Sequence, residues 1–545
     1  MMSHIFGINK CHFEFAPEFF QYTQHVDELK CDNNYSSHFK TGFSDSPFLR
    51  SKSIEGTQFY LLGNPLLYYD FDTIWETIKP ADLSNGSKSW YELFRHLNGI
   101  SAVLTVSSQK VCVITDPLGF FPFYLYQNEE LWCWSSNLQN IIAIPEVDIK
   151  YNEVAIFNYV HNGHFLDNET WYHHISRLPA ASICTLDFIT KQINLNRYWS
   201  WNEWTKTKTL INESRETYYS LLEKSITNLA IQSQNIGLSL SGGLDSRIIA
   251  LISKKYFDIH TFTFSTKESI DFAIAQKVSK ILNCNFTHFE LEYDNWLEDR
   301  IFAFLQCNGM VPINHFHEGN IYKELKEKFD IIMTGFFGGG IYANTDQVNT
   351  RIKKNISSQF FYSYNDRHHT GDSFYDFNSI DPYIIDQKIR NLAALHVYNL
   401  SHYFKVAIPF YNLDWLKYNY SIDETQQVNH QFYLSTINQF LSRPLRILKW
   451  QKTGIAPYYQ RLNSFFLKIK IPEVLNWVYQ KLGRSRQFYN YTKLEYTVDL
   501  LLDKYAVQYI LLLVDYKPKN LNEKFNLLSV YLWLSREKLK SHDPV

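Results

Sequence analysis

At 545 residues the chain is too long for one ordinary hydrophobic core, so two or three domains are expected. Hydrophobic residues make up 45% of the chain and charged residues 20%, which is typical of a globular rather than a disordered protein. The 53 basic and 55 acidic residues leave a net charge of −2, which argues against nucleic acid as a partner.

The sequence carries no sign of a membrane span or of secretion. A bilayer-spanning helix needs about 18 or more consecutive apolar residues, and no such run occurs. The N-terminal stretch lacks the basic and the long apolar regions of a secretory signal. Seven scattered cysteines without a CxxC pair argue against a disulfide framework and a zinc site. Together these observations favour a cytoplasmic protein.

The first 200 residues are predicted to be mostly β. Short β-type runs punctuated by Gly, Pro and Asn occur at 58–71, 99–108, 110–127, 131–137 and 181–199. The polar stretch 201–209 is then the predicted linker. We therefore expect one domain over 1–200 and a second over 201–545.

Strands and helices alternate in the second domain. Helical spacing covers 212–231, with Asn212 as a candidate N-cap, and another helix follows the glycine turn at 242–243. The predicted strands are 236–240, 259–264, 286–291 and 329–335. This alternation predicts a parallel sheet covered by helices, and the chain beyond about Asp346 is expected to be mainly helical.

The turn "LSLSGGLDSR" after the first of these strands is the main candidate site. Glycines let backbone N–H groups approach an oxyanion closely and allow positive φ, and a helix beginning near Asp245 adds partial positive charge. Ser241 and Ser246 supply hydroxyl donors. Because Asp245 would repel phosphate, its predicted role is to hold Mg²⁺ that bridges phosphates. The Walker consensus is absent, so the turn is predicted to be another kind of nucleotide phosphate site, with a plain strand-to-helix turn as the alternative.

The strand–SGGxDS–helix order resembles the PP-loop of ATP pyrophosphatases, and a longer likeness surrounds it. The segments 239–252 and 259–291 resemble the synthetase domain of the asparagine synthetase family, which also includes β-lactam synthetases and lasso-peptide cyclases. Upstream, "HLNGISAVLTV" and "VITDPLGFFPFYLY" resemble that family's glutaminase domain. Downstream, "VAIPFYNLDWLKY" resembles its R-x-P-F-L-D helix region and "PLRILKWQKTGIAP" its lysine-bearing loop.

The resemblance implies a mixed α/β fold of two domains. The first would be a glutaminase-like, Ntn-type β-sandwich with helices, and the second a PP-loop parallel α/β domain with a helical extension. It implies binding of ATP pyrophosphate and Mg²⁺ by Ser241, Gly242, Gly243, Asp245 and Ser246. It implies adenosine contacts at Leu240, Phe264 and Gly335. Lys452 matches a lysine that stabilises charge during adenylylation, although a solvated surface lysine is the alternative interpretation.

Two positions depart from the family pattern. Active members begin MCGIFG with a nucleophilic cysteine, whereas the aligned stretch here is "MSHIFG", with Ser3 and His4. A serine hydroxyl is a far weaker nucleophile than a thiolate, and the glutamine-binding signatures RGPD and GEIYN are not recognisable. The first domain is therefore predicted to lack glutaminase activity.

The second departure lies in "TGFFGGGIYAN", which aligns with the family's SGEGADELF. The aspartate that contributes to the Mg²⁺–pyrophosphate site is Gly339 here, and the following acid is Gly340. Mg²⁺ usually keeps several waters and needs few protein carboxylates, so Asp245 is predicted to suffice. Asp346 is a candidate substitute.

The leading hypothesis is a carbon–nitrogen ligase with ATP and Mg²⁺ as cofactors. It would activate a carboxylate as an acyl-adenylate, with nitrogen from ammonia or an amine substrate. A catalytically degenerate, nucleotide-binding scaffold is the alternative from another class. A PP-loop tRNA-modifying enzyme fits less well, because the chain has neither a basic surface nor cysteine pairs. The expected partners are small-molecule or peptide substrates, and a homodimer stays open.

Overall fold

The structure is a computed structural model of the chain. It describes residues 2–8, 23–31, 34–41, 49–54, 56–68, 87–187, 189–204, 211–229, 235–294, 296–338, 362, 364, 380–469, 471–482 and 488–536.

The N-terminal part is built mainly from strands. These are β1 (Met2–Ile8), β2 (Thr23–Cys31), β3 (Asn34–Thr41), β4 (Leu49–Ile54), β5 (Thr57–Gly63), β6 (Leu66–Leu67), β7 (Leu97–Asn98), β8 (Ser101–Val106), β9 (Lys110–Thr115), β10 (Tyr124–Gln127), β11 (Trp132–Ser135), β12 (Ile175–Arg177), β13 (Ser182–Asp187) and β14 (Ile193–Arg197). The helices among them are α1 (Ser87–Arg95), α2 (Leu138–Ile142) and α3 (Glu153–Asn162).

These strands form two six-stranded antiparallel sheets. One has the order β12-β10-β11-β1-β3-β2 and the other β14-β13-β9-β8-β5-β4. Strands β8 and β11 are buried along their whole length, so both of their faces are covered. Alternating side chains of a strand point to opposite faces, which explains why β8 is apolar at consecutive positions Ala102, Val103 and Leu104.

A parallel sheet forms the centre of the second part. Its strands are β15 (Ile236–Ser239), β16 (Ile259–Ser265), β17 (Asn285–Glu290), β18 (Ile331–Met333) and β19 (Lys405–Ala407), in the order β17-β16-β15-β18-β19. The helices between them are α4 (Ile211–Thr227), which precedes β15, then α5 (Asp245–Ser253), α6 (Ile270–Leu282), α7 (Glu298–Gln306) and α8 (Tyr322–Lys328). The predicted two-domain, mixed α/β fold class is confirmed.

Helices dominate the rest of the chain. They are α9 (Ile380–Ile384), a π-helical segment (Ile385–Ala393), α10 (Ala394–Ser401), α11 (Leu413–Ser421), α12 (Glu424–Gln427), α13 (Gln431–Phe440), α14 (Arg443–Arg446), α15 (Gln460–Lys468), α16 (Ile471–Lys481), α17 (Glu495–Tyr505) and α18 (Leu521–Leu534). No helix in the described ranges is both long enough and apolar enough to cross a bilayer.

Local sequence explains where helix α6 begins and ends. The Ser269 side chain accepts a hydrogen bond from the Asp271 N–H at the N-terminus. Asn283 ends the helix in the left-handed conformation, with φ 52°, which asparagine adopts more readily than most residues. Ile274 and Val278, four residues apart, are buried on the face toward the sheet.

Three details differ from the sequence-based predictions. Strand β19 was not predicted: the stretch expected to join a helical region supplies an edge strand before α11 begins at Leu413. Helix α4 begins at Ile211, so Asn212 lies inside its first turn and is not the N-cap.

The predicted linker 201–209 is packed at its start. Trp201 and Trp204 are buried and contact the ring of Tyr420. Residues 205–209 lie outside the described residues.

Buried polar contacts join the first 200 residues to the rest of the chain. The Asn98 side chain donates to the Ile408 carbonyl and accepts from the Ile408 N–H, each at 2.8 Å. The Tyr411 hydroxyl donates to Asp116 Oδ1 at 2.7 Å, and burial raises the pKa of Asp116. Buried polar groups are costly unless they are paired, so these contacts fix how the two parts meet.

Acidification is expected to destabilise the fold through buried histidines. His164 is buried, and that burial lowers its pKa from 6.5 to about 4. On acidification the imidazole is protonated in the unfolded chain at a higher pH than in the folded protein. The stabilisation of the fold by the neutral, buried ring is therefore complete above pH 6.5 and is lost as the pH falls toward about 4. The shift corresponds to ~3 kcal/mol for this one residue.

We therefore expect His164→Asn to reduce the loss of unfolding free energy across that pH window. Urea denaturation at a series of pH values measures this loss. A loss in His164→Asn equal to that of the wild type would contradict the assignment to His164.

Candidate active site

The SGGLDS turn leaves the carboxyl end of the central strand of the parallel sheet. Strand β15 has β16 on one side and β18 on the other, and it ends at Ser239. Helix α5 begins at Asp245, as predicted. The turn thus lies where open parallel sheets bind their ligands, with the N-terminus of a helix directed at it.

The two serine hydroxyls hold the turn in shape. Ser241 Oγ lies 3.1 Å from Ser246 Oγ, and the Ser241 N–H donates to Ser246 Oγ at 3.1 Å. The Gly243 N–H donates to Ser241 Oγ, also at 3.1 Å. These bonds bring both predicted hydroxyl donors to one point in front of the helix, although each already has a partner within the turn.

The glycines have a different local explanation from the predicted one. Neither Gly242 nor Gly243 adopts positive φ. The Gly242 N–H donates to Asp271 Oδ1 at 2.8 Å, and a Cβ at Gly242 would lie 2.7 Å from that oxygen and from Gln451 Cβ. Close packing against Asp271 and Gln451 therefore requires glycine at position 242.

Asp245 lies at the first position of α5 and is partly exposed. The Tyr433 hydroxyl donates to Asp245 Oδ1 at 2.5 Å, and burial raises the pKa of Tyr433 well above its usual value, so this tyrosine keeps its proton. A Cβ at Gly338 would overlap the Asp245 carboxyl group, and one at Gly335 would lie 3.0 Å from the Ser246 nitrogen. The loop after β18 thus lies against Asp245 and the helix N-terminus.

Arg247, which the sequence analysis did not select, joins the turn to a distant segment. Its buried guanidinium donates to the carbonyl oxygens of Leu445 and Lys449, each at 3.0 Å, and to the Leu448 carbonyl at 3.3 Å. It also reaches the Gly242 carbonyl at 3.4 Å. Burial lowers the pKa of Arg247 to about 10. The sequence feature that could have identified Arg247 is its place, as an arginine, next to the apolar positions of a predicted helix.

The segment 445–452 contacts the turn through the residue that precedes Lys452. The Gln451 N–H donates to the Gly242 carbonyl at 3.2 Å, so the residue before Lys452 is bonded directly to the turn. Lys452 Nζ lies 3.1 Å from Nε2 of the buried His430. Burial and the neighbouring Lys452 charge lower the pKa of His430 well below its usual value, so its neutral ring can accept a hydrogen bond from the lysine ammonium.

The three predicted adenosine contacts lie around the same edge of the sheet. Leu240 is fully buried after β15, and Gly335 follows β18. Phe264, near the end of β16, stacks on Phe488 with 5.1 Å between ring centroids and 6° between planes. Its partner Phe488, which no local sequence pattern indicated, stacks in turn on His317. An aromatic stack therefore borders the turn.

Three predicted site positions, and the side chains of two more, lie outside the described part of the chain. Gly339, Gly340 and Asp346 lie outside the described residues. Ser3 and His4 lie on β1 opposite Lys40 and Phe39, and their side chains are outside the described ones. Among the residues that the structure describes, no three His, Cys, Asp or Glu side chains are arranged to hold a metal ion.

Two family models match the chain. Residues 87–199 match the "Glutamine amidotransferase domain" and residues 217–314 match "Asparagine synthase". The chain is similar to the putative glutamine-hydrolyzing asparagine synthetase 2 of Methanocaldococcus jannaschii, with 25% identity over 195 residues, which cover 34% of this chain and 37% of that protein. It is also similar to the glutamine-hydrolyzing asparagine synthetase 2 of Bacillus subtilis, with 22% identity over 269 residues, 45% of this chain and 36% of that protein.

The matched region thus spans little more than a third of the length of either curated relative. Among solved structures, glutamine phosphoribosylpyrophosphate amidotransferase from B. subtilis matches with 10% identity and a TM-score of 0.24, over 54% of this chain and 92% of that one. A score this low indicates nothing about shared activity.

Proposed function

We propose that the chain is an ATP-dependent carbon–nitrogen ligase of the asparagine synthetase family, which the two family-model matches and the similarity to curated asparagine synthetases support. An oxygen of a substrate carboxylate attacks the α-phosphorus of ATP, the bond to pyrophosphate breaks, and an acyl-adenylate forms. Ammonia or an amine then attacks the acyl carbon, loses a proton, and displaces AMP. The substrate class is a small-molecule or peptide carboxylate.

One observation carries this proposal. Arg247 and the Gln451 N–H bind the 445–452 segment to the SGGLDS turn, which supports assigning Lys452 and Asp245 to one site although 207 positions separate them in the sequence. A helix N-terminus and a lysine ammonium both favour negative charge. That is the electrostatic character which adenylylation requires, because charge develops on the phosphate oxygens.

The residues take distinct roles in the proposed reaction. Lys452 stabilises charge on the phosphate oxygens, and neutral His430 accepts a hydrogen bond from it and so fixes its position. Ser241, Gly243 and Ser246 bind the pyrophosphate portion. The hard-oxygen donors Asp245, Ser241 and Ser246 fit Mg²⁺, which neutralises phosphate charge when bound. Asp245 would hold it, with Tyr433 orienting the carboxylate.

Gly242 is proposed to support the turn, whereas the sequence analysis assigned it to phosphate binding. Its N–H is hydrogen-bonded to Asp271 and so is not available to phosphate. Leu240, Phe264 and Gly335 remain the proposed adenosine contacts, with the Phe264–Phe488 stack as an apolar wall beside the base.

The proposed reaction is tested by its products. Purified protein with ATP, Mg²⁺ and a panel of carboxylates, aspartate included, should release AMP and pyrophosphate in equal amounts when ammonia or an amine is supplied. Release of ADP, or of nothing above background with every acid, would contradict the ligase proposal.

We also propose that the first domain lacks glutaminase activity, since Ser3 stands where the family has its nucleophilic cysteine. Glutamine should therefore fail to replace ammonia as the nitrogen donor. Incubation with glutamine alone, followed by measurement of glutamate, checks this directly. Glutamate release at an enzymatic rate would overturn the proposal.

A degenerate nucleotide-binding scaffold remains the second candidate. Two observations favour it: the Gly242 N–H is already bonded to a carboxylate, and Asp245 is already bonded to Tyr433. A scaffold would bind ATP and release no pyrophosphate.

We further propose a domain division at residue 200, a cytoplasmic location and a homodimer. The two matched family models lie on either side of residue 200, which supports the division.

A further inference from the structure

Helices α15 and α16 carry an exposed apolar face. The side chains exposed by between about two-fifths and two-thirds are Tyr458, Tyr459, Leu462, Phe465, Ile469, Val474, Trp477 and Leu482. Single exposed apolar residues are ordinary on protein surfaces, but eight within 25 positions of one helical pair form a patch.

Helical spacing gathers these side chains on one side of each helix. Leu462, Phe465 and Ile469 are three and four positions apart along α15, and Val474 and Trp477 repeat the spacing on α16. The opposite side of α15 faces the protein, where Asn463 and Leu467 are buried. Helix α15 is therefore amphipathic, and no described residue covers the outer face of the pair.

The same stretch concentrates positive charge in a chain whose overall charge is −2. Residues 458–487 contain six Lys or Arg and one Glu. Two of the basic side chains, Arg461 and Lys468, are exposed beside the apolar face. Charge balance over the whole chain conceals this local excess.

A second exposed apolar region lacks this excess of basic residues. Tyr496 and Leu500 on α17 and Leu511 beyond it are exposed by half or more. Residues 495–516 contain four Asp or Glu and one Lys, and Lys524 forms ion pairs with Glu495 and Asp499. Exposed apolar surface alone thus does not distinguish the two regions, but the excess of basic residues does.

We propose that the α15–α16 face docks onto the surface of a bilayer with anionic headgroups, with both helices lying in the plane of the interface. Amphipathic helices with aromatic residues on one face and Lys or Arg beside them bind in this way. Trp and Tyr are enriched at the membrane–water interface, and basic side chains near it are attracted to anionic lipids. The described part of the chain has no membrane-spanning helix, so the attachment is peripheral.

This inference is independent of the proposed ligase activity and goes beyond it. The Asn463 side chain of α15 donates to the Ala456 carbonyl at 2.8 Å, so this helix packs on the loop that carries Lys452. A bilayer on the outer face would therefore lie on the far side of α15 from that loop.

The test is flotation of the full chain with vesicles of phosphatidylcholine alone and of phosphatidylcholine with phosphatidylglycerol at three to one. We expect binding to the anionic vesicles at low salt, at least tenfold weaker binding to the neutral ones, and release at high salt. The double variant Phe465→Ser/Trp477→Ser should lose at least tenfold in vesicle partitioning. The matched control Tyr496→Ser/Leu500→Ser should stay within twofold of wild type, since its surroundings have no excess of basic side chains.

All four substituted positions are exposed by half or more, so both variants should fold, and circular dichroism checks this. Equal binding to neutral and anionic vesicles, or no binding to either, would overturn the proposal. It would also be overturned by a concentration-dependent dimer in sedimentation velocity that Phe465→Ser/Trp477→Ser abolishes, because a second copy would then cover the face.

Discussion

Lys452→Ala is expected to lower the rate of ATP–pyrophosphate exchange by about 100-fold or more, which is the usual effect of removing one donor that stabilises transition-state charge. The reason is positional: Gln451 is bonded to Gly242, and the lysine side chain is held by neutral His430. Exchange is measured as incorporation of labelled pyrophosphate into ATP. Because Lys452 acts on the transition state, kcat should fall and the KM for ATP should change little.

The matched control is Lys449→Ala, three positions away. The Lys449 side chain is exposed, and only its backbone carbonyl contacts Arg247. This variant should exchange at nearly the wild-type rate. Equal losses in both variants, or no loss at Lys452, would indicate that Lys452 is an ordinary surface lysine.

Arg247→Met is expected to destabilise the protein and to release the Lys452 segment from the turn. The substitution removes the donor from the buried carbonyl of Leu445 and from the partly buried carbonyls of Leu448 and Lys449. A buried group left without its partner costs about 1–3 kcal/mol, and relief of the buried charge offsets part of this. We therefore expect a net loss of about 3 kcal/mol in the free energy of unfolding.

Chemical denaturation measures the stability effect, and exchange measured on the folded fraction tests the positioning effect. A residue that only stabilised the fold would leave the specific rate of the folded fraction intact, whereas we expect that rate to fall. Arg443→Met, at an exposed position of α14, is the control for loss of an arginine. Unchanged denaturation and exchange in Arg247→Met would contradict its role in joining the two segments.

Local sequence predicted most of the parallel sheet. Four of its five strands and the start of α5 follow from alternating apolar runs, the glycine turn and helical spacing. Strand β19 was missed because it has only three residues, too few for a period to be recognised. Its pairing with β18 is decided by the sheet and not by its own sequence.

The candidate site was likewise predicted only in part from the sequence. The turn and Lys452 were found from a motif and a family resemblance, but the contacts that join them were not. Arg247 reaches carbonyls about 200 positions away, and Tyr433 reaches Asp245 across 188 positions. No local pattern encodes such contacts. The glycines of the turn were predicted to allow positive φ, but Gly242 does not adopt it. Its requirement for glycine comes from Asp271 and Gln451, which lie on other elements and therefore could not be read from the local sequence.

We propose above all that the SGGLDS turn and the Lys452 segment form a site that adenylylates a carboxylate. The decisive experiment is ATP–pyrophosphate exchange by the wild-type protein and by Asp245→Ala, with the carboxylate panel present. We expect carboxylate-dependent exchange in the wild type and its loss in Asp245→Ala. If the wild type binds ATP without exchange, and Asp245→Ala binds ATP equally well, the site does not adenylylate a carboxylate.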